Sequence, residues 1–178
     1  MDWENIRLYR LNDKNTILPF DCGDLDLNDF LLNDSLLYSN SLIAVTYIFE
    51  DIKNQNTIGF FSVINDKISA EQTNNSGWKK FRKSIPEKKR FKSYPAVKIG
   101  RLGIAIEYQK QGLGSDILNY IKGLFLDSNK TGCRFITVDA YNNSKTLNFY
   151  EKNGFVYLTQ SDTNDDTRLL YFDLITLV

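Results

Sequence analysis

Between Leu102 and Phe125 the chain passes from an apolar run, Leu102-Gly103-Ile104-Ala105-Ile106, through a polar turn into a segment with helical periodicity. Leu113, Ile117, Leu118, Ile121, Leu124 and Phe125 recur at the intervals that place them on one face of an amphipathic helix. A strand that feeds through glycines directly into a helix restricts the chain to folds in which helices pack on a sheet. The turn itself is Glu107-Tyr108-Gln109-Lys110-Gln111-Gly112, with Gly114 two residues on. Glycines there let the backbone approach a ligand with no Cβ in the way. The helix N-terminus behind them presents unpaired N–H groups and a partial positive charge, which suits an anion. Close packing of helix on strand is the other use of Gly-x-Gly at such a place.

Two nucleotide-binding loops fail on spacing. A dinucleotide fingerprint needs a third glycine three residues after Gly114, where Ile117 stands. A Walker loop needs Gly-Lys-Ser/Thr, and Gly114 is followed by Ser115 and Asp116.

The rest of the chain supplies mixed elements. Residues 3–10 read as a strand, and Asp24 is placed to cap a helix whose apolar residues are Leu25, Leu27, Phe30, Leu31 and Leu37. Leu42 to Glu50 and Thr57 to Ile64 read as a hairpin, and Val97 to Ile106 as a strand. Residues 65–95 are the least regular, with Asn74-Asn75-Ser76-Gly77 as a turn. Arg134 to Ala140 reads as a strand, Ser144 to Asn153 as a short helix ended by Gly154, and two further strands close the chain. With 178 residues and no linker, one α/β (α+β) domain spanning 1–178 is expected.

Composition removes several chemistries. There is no histidine, and Cys22 and Cys133 are the only cysteines. A Cys/His zinc site and a disulfide framework are therefore excluded in practice, as is every nucleophile activated by histidine. No apolar run approaches the ~20 residues of a membrane helix, and the N-terminus lacks a signal peptide's pattern, so a cytoplasmic protein is expected. Acids and bases balance at 22 each, but unevenly: residues 79–101 hold ten basic side chains against Glu87 alone. That asymmetry fits a phosphate-rich partner or a solvated loop balancing acidic segments elsewhere.

The remaining pattern, Gln109-x-x-Gly112-x-Gly114, resembles the pyrophosphate loop of the GNAT superfamily of N-acetyltransferases. Downstream, Phe135-Ile136-Thr137-Val138-Asp139-Ala140-Tyr141-Asn142-Asn143 and Asn148-Phe149-Tyr150-Glu151-Lys152-Asn153-Gly154-Phe155 are similar to the same family's strand and Tyr-Glu-x-x-Gly-Phe helix. The resemblance implies a central, mostly antiparallel, twisted sheet of about six to seven strands flanked by helices, with acetyl-CoA as acyl donor. It implies that the backbone of Ile104, Ala105 and Ile106 pairs with the pantetheine arm. The amides of Gln111, Gly112, Leu113, Gly114 and Ser115, with Gln109 and Lys110, would hold the pyrophosphate. Asn142 or Asn143 would stand beside the pantetheine. Tyr150 would protonate the leaving thiolate; its other reading is a core aromatic. No base is assigned, although Glu50 and Asp51 lie at a hairpin end.

Two more segments, Phe20-Asp21-Cys22-Gly23-Asp24-Leu25-Asp26-Leu27-Asn28-Asp29-Phe30-Leu31 and Tyr94-Pro95-Ala96-Val97-Lys98-Ile99-Gly100-Arg101-Leu102-Gly103-Ile104, are similar to one GNAT branch. Gly103 stands where that branch has alanine. The branch includes toxins of toxin–antitoxin pairs that acetylate the amino group of aminoacyl-tRNA. The expected activity is acetyl transfer to a primary amine, with aminoacyl-tRNA as the alternative acceptor and a non-catalytic acyl-CoA-binding module as the alternative of another class. The tRNA would lie on residues 79–101, and one of the aromatics in or next to that stretch, Trp78, Phe81, Phe91 and Tyr94, could stack on a base. A homodimer and a cognate antitoxin are further partners the resemblance allows.

Overall fold

The fold is that of a computed structural model, which describes residues 5–83, 85, 91–127, 129 and 132–178. Seven strands hydrogen-bond in the order β1-β2-β3-β4-β5-β7-β6. They are β1 (Ile6–Arg10), β2 (Val45–Asp51), β3 (Asn56–Ser69), β4 (Ser93–Ile104), β5 (Phe135–Tyr141), β6 (Val156–Tyr157) and β7 (Thr167–Asp173). The sheet is mixed: β4 and β5 run parallel, while β1–β2, β2–β3, β5–β7 and β6–β7 are antiparallel. The helices are α1 (Leu25–Asp29), α2 (Ser35–Asn40), α3 (Asn75–Lys83), α4 (Leu113–Leu126) and α5 (Ser144–Lys152). Backbone contacts divide the chain into two compact units, Met1–Ile64 with Ile99–Ile117, and Asn65–Lys98 with Leu118–Val178.

In the first unit the Asp24 side chain accepts the Leu27 N–H at 3.1 Å and starts α1, as its position before the apolar run implies. A π-helical turn, Phe30–Asp34, joins α1 to α2. This wider turn corrects the expected apolar face. Phe30 and Leu31 are buried with Leu11, Ile48 and Phe60, but beyond the turn Leu36 packs on that cluster and Leu37 does not. Leu37 is 62% exposed, and Leu25, at the first position of α1, is 86% exposed. One extra residue in a turn rotates everything after it by about one position, which a regular 3.6-residue reading does not anticipate.

In the second unit the segment Asn74-Asn75-Ser76-Gly77 is not a free turn but the start of α3. The Asn74 side chain accepts the Gly77 N–H at 2.8 Å and its carbonyl accepts the Trp78 N–H at 2.9 Å. The helix turns Trp78 and Phe81, one turn apart, onto Ile68, Tyr94, Ala96 and Phe135. The β4–β5 ladder pairs Ala96 with Phe135, Val97 with Ile136 and Lys98 with Thr137. β7 then lies antiparallel along the whole of β5, from Phe135↔Asp173 to Tyr141↔Thr167.

Candidate active site

In the first unit β4 ends at Ile104 and a 3₁₀ turn, Ile106–Tyr108, leads toward α4. The Ala105 N–H is donated to the Ile58 carbonyl and the Ile106 N–H to the Asp21 carbonyl, both at 2.9 Å. Of the three residues expected to pair with pantetheine, these two therefore have their amides engaged within the fold. Gln109 ties the loop down: its Nε2 donates to the carbonyls of Cys22 and Ile104, each at 2.9 Å. Gln111 Nε2 likewise donates to the Glu107 carbonyl at 2.8 Å. Both glutamine side chains thus shape the turn.

Lys110 and Gly112 take left-handed backbone angles, φ +61° and +87°. At Gly112 a Cβ would meet nothing within 4 Å, so it is the backbone angle, not crowding, that favours glycine there. The Ser115 N–H returns to the Gly112 carbonyl at 2.9 Å. The first-turn amides of Leu113 and Gly114 have no acceptor within the helix, as at any helix start. Leu113 itself is buried and pins the turn from beneath, while Lys110 is exposed. The result is a positively polarised helix start with an exposed ammonium two residues before Gly112. Gly103 has a separate reason: a Cβ there would come within 2.7 Å of the Phe60 ring.

Glu50 and Asp51 are not poised as bases. Glu50 is fully buried, not exposed as its hairpin-end position suggested, and accepts hydrogen bonds from Arg7 and, at 2.5 Å, from the Tyr9 hydroxyl. The pairing Arg7↔Glu50 across β1 and β2 puts the charges together. Asp51 accepts the backbone N–H and side-chain amide of Asn54, and hydrogen bonding from that backbone holds its carboxyl below the usual range.

In the second unit Tyr150 lies on α5, 6% exposed, with the Phe149 and Phe155 rings edge-on at 5.0 and 5.3 Å. Burial pushes its hydroxyl well above the ordinary tyrosine value, so at neutral pH it holds its proton. Among the described residues that hydroxyl has no hydrogen-bond partner. Asn143 caps α5 by accepting the Thr146 N–H at 2.9 Å. Asn142 Nδ2 donates to the Thr163 and Asp165 carbonyls at 2.9 and 2.8 Å, anchoring the segment before β7.

Acids also stand on the central strands, which a reading along β4 alone does not reveal. Lys98 Nζ lies 2.7 Å from Asp139 on β5 and 3.8 Å from Asp66 on β3, and the Thr137 hydroxyl donates to Asp66 at 2.5 Å. Only strand order brings these positions together. Of the aromatics in the basic stretch, Trp78, Phe81 and Tyr94 are core and Phe91 is 60% exposed. Lys79, Lys80 and Lys83 project into solvent from α3, whereas Lys88, Lys89 and Arg90 lie outside the described residues. Among the described residues no helix is long and apolar enough to cross a membrane.

The mixed sheet carries a left-handed glycine turn after β4 in one unit and, in the other, a buried tyrosine on the helix after β5. The family described as the acetyltransferase (GNAT) domain matches residues 47–157, and the chain belongs to it as an N-acetyltransferase with acetyl-CoA as donor. Solved structures share the fold end to end. AtaT complexed with acetyl-methionyl-tRNAfMet superposes with a TM-score of 0.77 at 22% identity, covering 97% of this chain and 96% of that one. A tyrosine-to-phenylalanine mutant of KacT gives 0.78 at 22% identity, covering 97% of each chain. A tyrosine-to-phenylalanine mutant of the toxin AtaT, bound to the C-terminus of the antitoxin AtaR and acetyl-CoA, gives 0.74 at 21% identity, covering 97% and 96%. No curated protein matches the chain.

Proposed function

We propose that this acetyltransferase moves the acetyl group of acetyl-CoA directly to the amino group of an aminoacyl-tRNA, with Tyr150 as general acid. The observation that carries the chemistry is the buried Tyr150, whose hydroxyl keeps its proton and has no hydrogen-bond partner among the described residues. The neutral amine attacks the thioester carbonyl, the C–N bond forms and the C–S bond breaks. The sulfur leaves with the proton of Tyr150, the amine sheds its extra proton to solvent, and Tyr150 regains a proton from solvent. The pyrophosphate would lie on Lys110 and the amides of Leu113 and Gly114, and the ordering of that turn by Gln109 supports the assignment.

The acceptor follows from chemistry and likeness together. Glu50 and Asp51 are committed to hydrogen bonds, so the amine should arrive neutral. An α-amino group, with an ordinary pKa of ~8, does so far more readily than a lysine at ~10.4. The two segments similar to the toxin branch favour an α-amine carried on tRNA, and so does the fold shared with AtaT, solved with acetyl-methionyl-tRNAfMet. The exposed Lys79, Lys80 and Lys83 would then meet phosphates. An antitoxin partner belongs to the same reading, by analogy with AtaT bound to AtaR.

The test is acetylation of charged tRNA, read by mass spectrometry of the released acetyl-amino acid, beside inhibition of cell-free translation. Charge reversal of Lys79, Lys80 and Lys83 should weaken acetylation of charged tRNA and leave that of a small amine unchanged. A wild-type protein that neither acetylates charged tRNA nor slows translation, yet acetylates small amines, removes the tRNA reading and leaves the general N-acetyltransferase.

A further inference from the structure

Lys122 is 7% exposed on α4, next to the buried apolar residues Ile117, Leu118 and Ile121. A lysine held in such surroundings is costly, and a methionine or leucine would fill the same place without stripping water from a charge. Its environment shows what the ammonium does there. Nζ donates to the Asn153 carbonyl at 2.8 Å, at the C-terminal cap of α5. It also sits 4.3 Å from the centre of the Phe172 ring and 6.0 Å from that of Phe155, both within cation–π range.

Those partners surround Tyr150. The Tyr150 carbonyl accepts the N–H groups of Asn153 and Phe155, each at 3.0 Å, closing the turn that Lys122 holds from outside. The Phe155 ring lies against Tyr150 at 5.3 Å and against Phe172 at 5.6 Å. Gly154, at φ +82°, lets the chain reverse there, and even a Cβ at that position would come within 3.0 Å of Phe172. Among the described residues the Tyr150 hydroxyl has no hydrogen-bond partner, so the aim of its ring depends on this packing and on the end of its helix.

We infer that Lys122 is a positioning residue for Tyr150, clamping the C-terminus of α5 through the Asn153 carbonyl and the Phe155 ring through its charge. The inference rests on Tyr150 being the proton donor, and the experiment separates the two. Lys122→Met keeps the stem and removes charge and donor. It should lower kcat by ~10-fold through misalignment of the donor, with KM for acetyl-CoA unchanged. Lys122→Arg, which keeps both, should recover most of the loss. In a Tyr150→Phe background Lys122→Met should cost nothing further, because no donor is left to misalign. A rate loss of the same size in both backgrounds, or a change confined to KM, overturns the positioning role while Tyr150 keeps its own. A Tyr150→Phe enzyme with full kcat overturns both, through the donor. Should Lys122→Met fail to fold, Phe172→Leu, which removes the ring beneath the ammonium, carries the same cycle with the same expected non-additivity.

Discussion

The side-chain amide of Gln109 donates to the Cys22 carbonyl at 2.9 Å, across 87 positions of sequence, while reaching the Ile104 carbonyl at the same distance. Two separate motifs, the glycine turn and the Phe-x-Cys-Gly segment, are thereby one piece of structure. Cys22 in turn donates its N–H to Asn28 Oδ1 at 2.9 Å, so the tie extends to the helix after the motif. Gln109→Ala should cost about 1–2 kcal/mol in stability, two ordinary hydrogen bonds, and weaken acetyl-CoA binding by loosening the turn. Gln109→Glu should be worse, since a carboxylate would face two carbonyl oxygens. Thermal unfolding and calorimetry with acetyl-CoA check both; equal affinity in all three proteins would mean that the turn holds its shape without the tie.

Gly112 separates backbone strain from ligand access. Its added Cβ would meet open space, so Gly112→Leu should stay folded and lose ~1–2 kcal/mol to its left-handed backbone angle. Wild type should bind acetyl-CoA with a micromolar dissociation constant, ~−8 kcal/mol, and the variant should not bind measurably by calorimetry. Unchanged affinity in Gly112→Leu would remove the pyrophosphate from this turn.

Tyr150→Phe should keep acetyl-CoA affinity and lower turnover by ~10²-fold. The pH dependence has a definite sign. Burial raises the Tyr150 hydroxyl above the ordinary value, so the donor stays protonated through pH 10, while the acceptor amine deprotonates as pH rises. The rate should therefore climb through the amine's own pKa and then level off, with no falling limb up to pH 10. The same shift stabilises the fold fully below the unfolded-state tyrosine pKa, and that contribution is lost as pH rises toward the folded value. A rate that falls between pH 8 and 10 in a protein that is still folded would assign the proton to another group.

Glu50→Ala should be a stability variant and nothing more. It strands the part-buried Tyr9 hydroxyl and releases the Arg7 guanidinium to solvent, and the loss of hydrogen bonds to a buried charge costs on the order of 2 kcal/mol. Denaturant unfolding should show that loss with kcat per folded molecule unchanged. A fall in kcat larger than tenfold would return Glu50 to the candidates for the base.

Phe91 is the exposed ring among the four aromatics around the basic stretch. If a base of the acceptor strand stacks there, Phe91→Ala should weaken tRNA binding by ~1–3 kcal/mol without altering acetylation of a small amine. Trp78→Ala, by contrast, should destabilise the fold, because Trp78 lies stacked with Phe81 at 5.3 Å in the core.

The sequence alone determined what local spacing encodes. The passage from β4 through the glycine turn into α4, the Asp24 cap and the place of Tyr150 on a short helix ended by Gly154 are all written in residues a few positions apart. Hydrogen bonds and helical periodicity act at that range. Tertiary structure decided whatever depends on distant partners. Trp78 and Phe81 look like stacking platforms in a run of lysines, and they are core because Phe135, far along the chain, lies where α3 lands. The strand around Lys98 carries no acid before Glu107, and strand order sets Lys98 between Asp66 and Asp139. Leu37 fits the apolar spacing, and a π turn takes it off the core face. Burial and charge pairing are sums over neighbours from every strand and helix that meet at a point, and no window of sequence contains them.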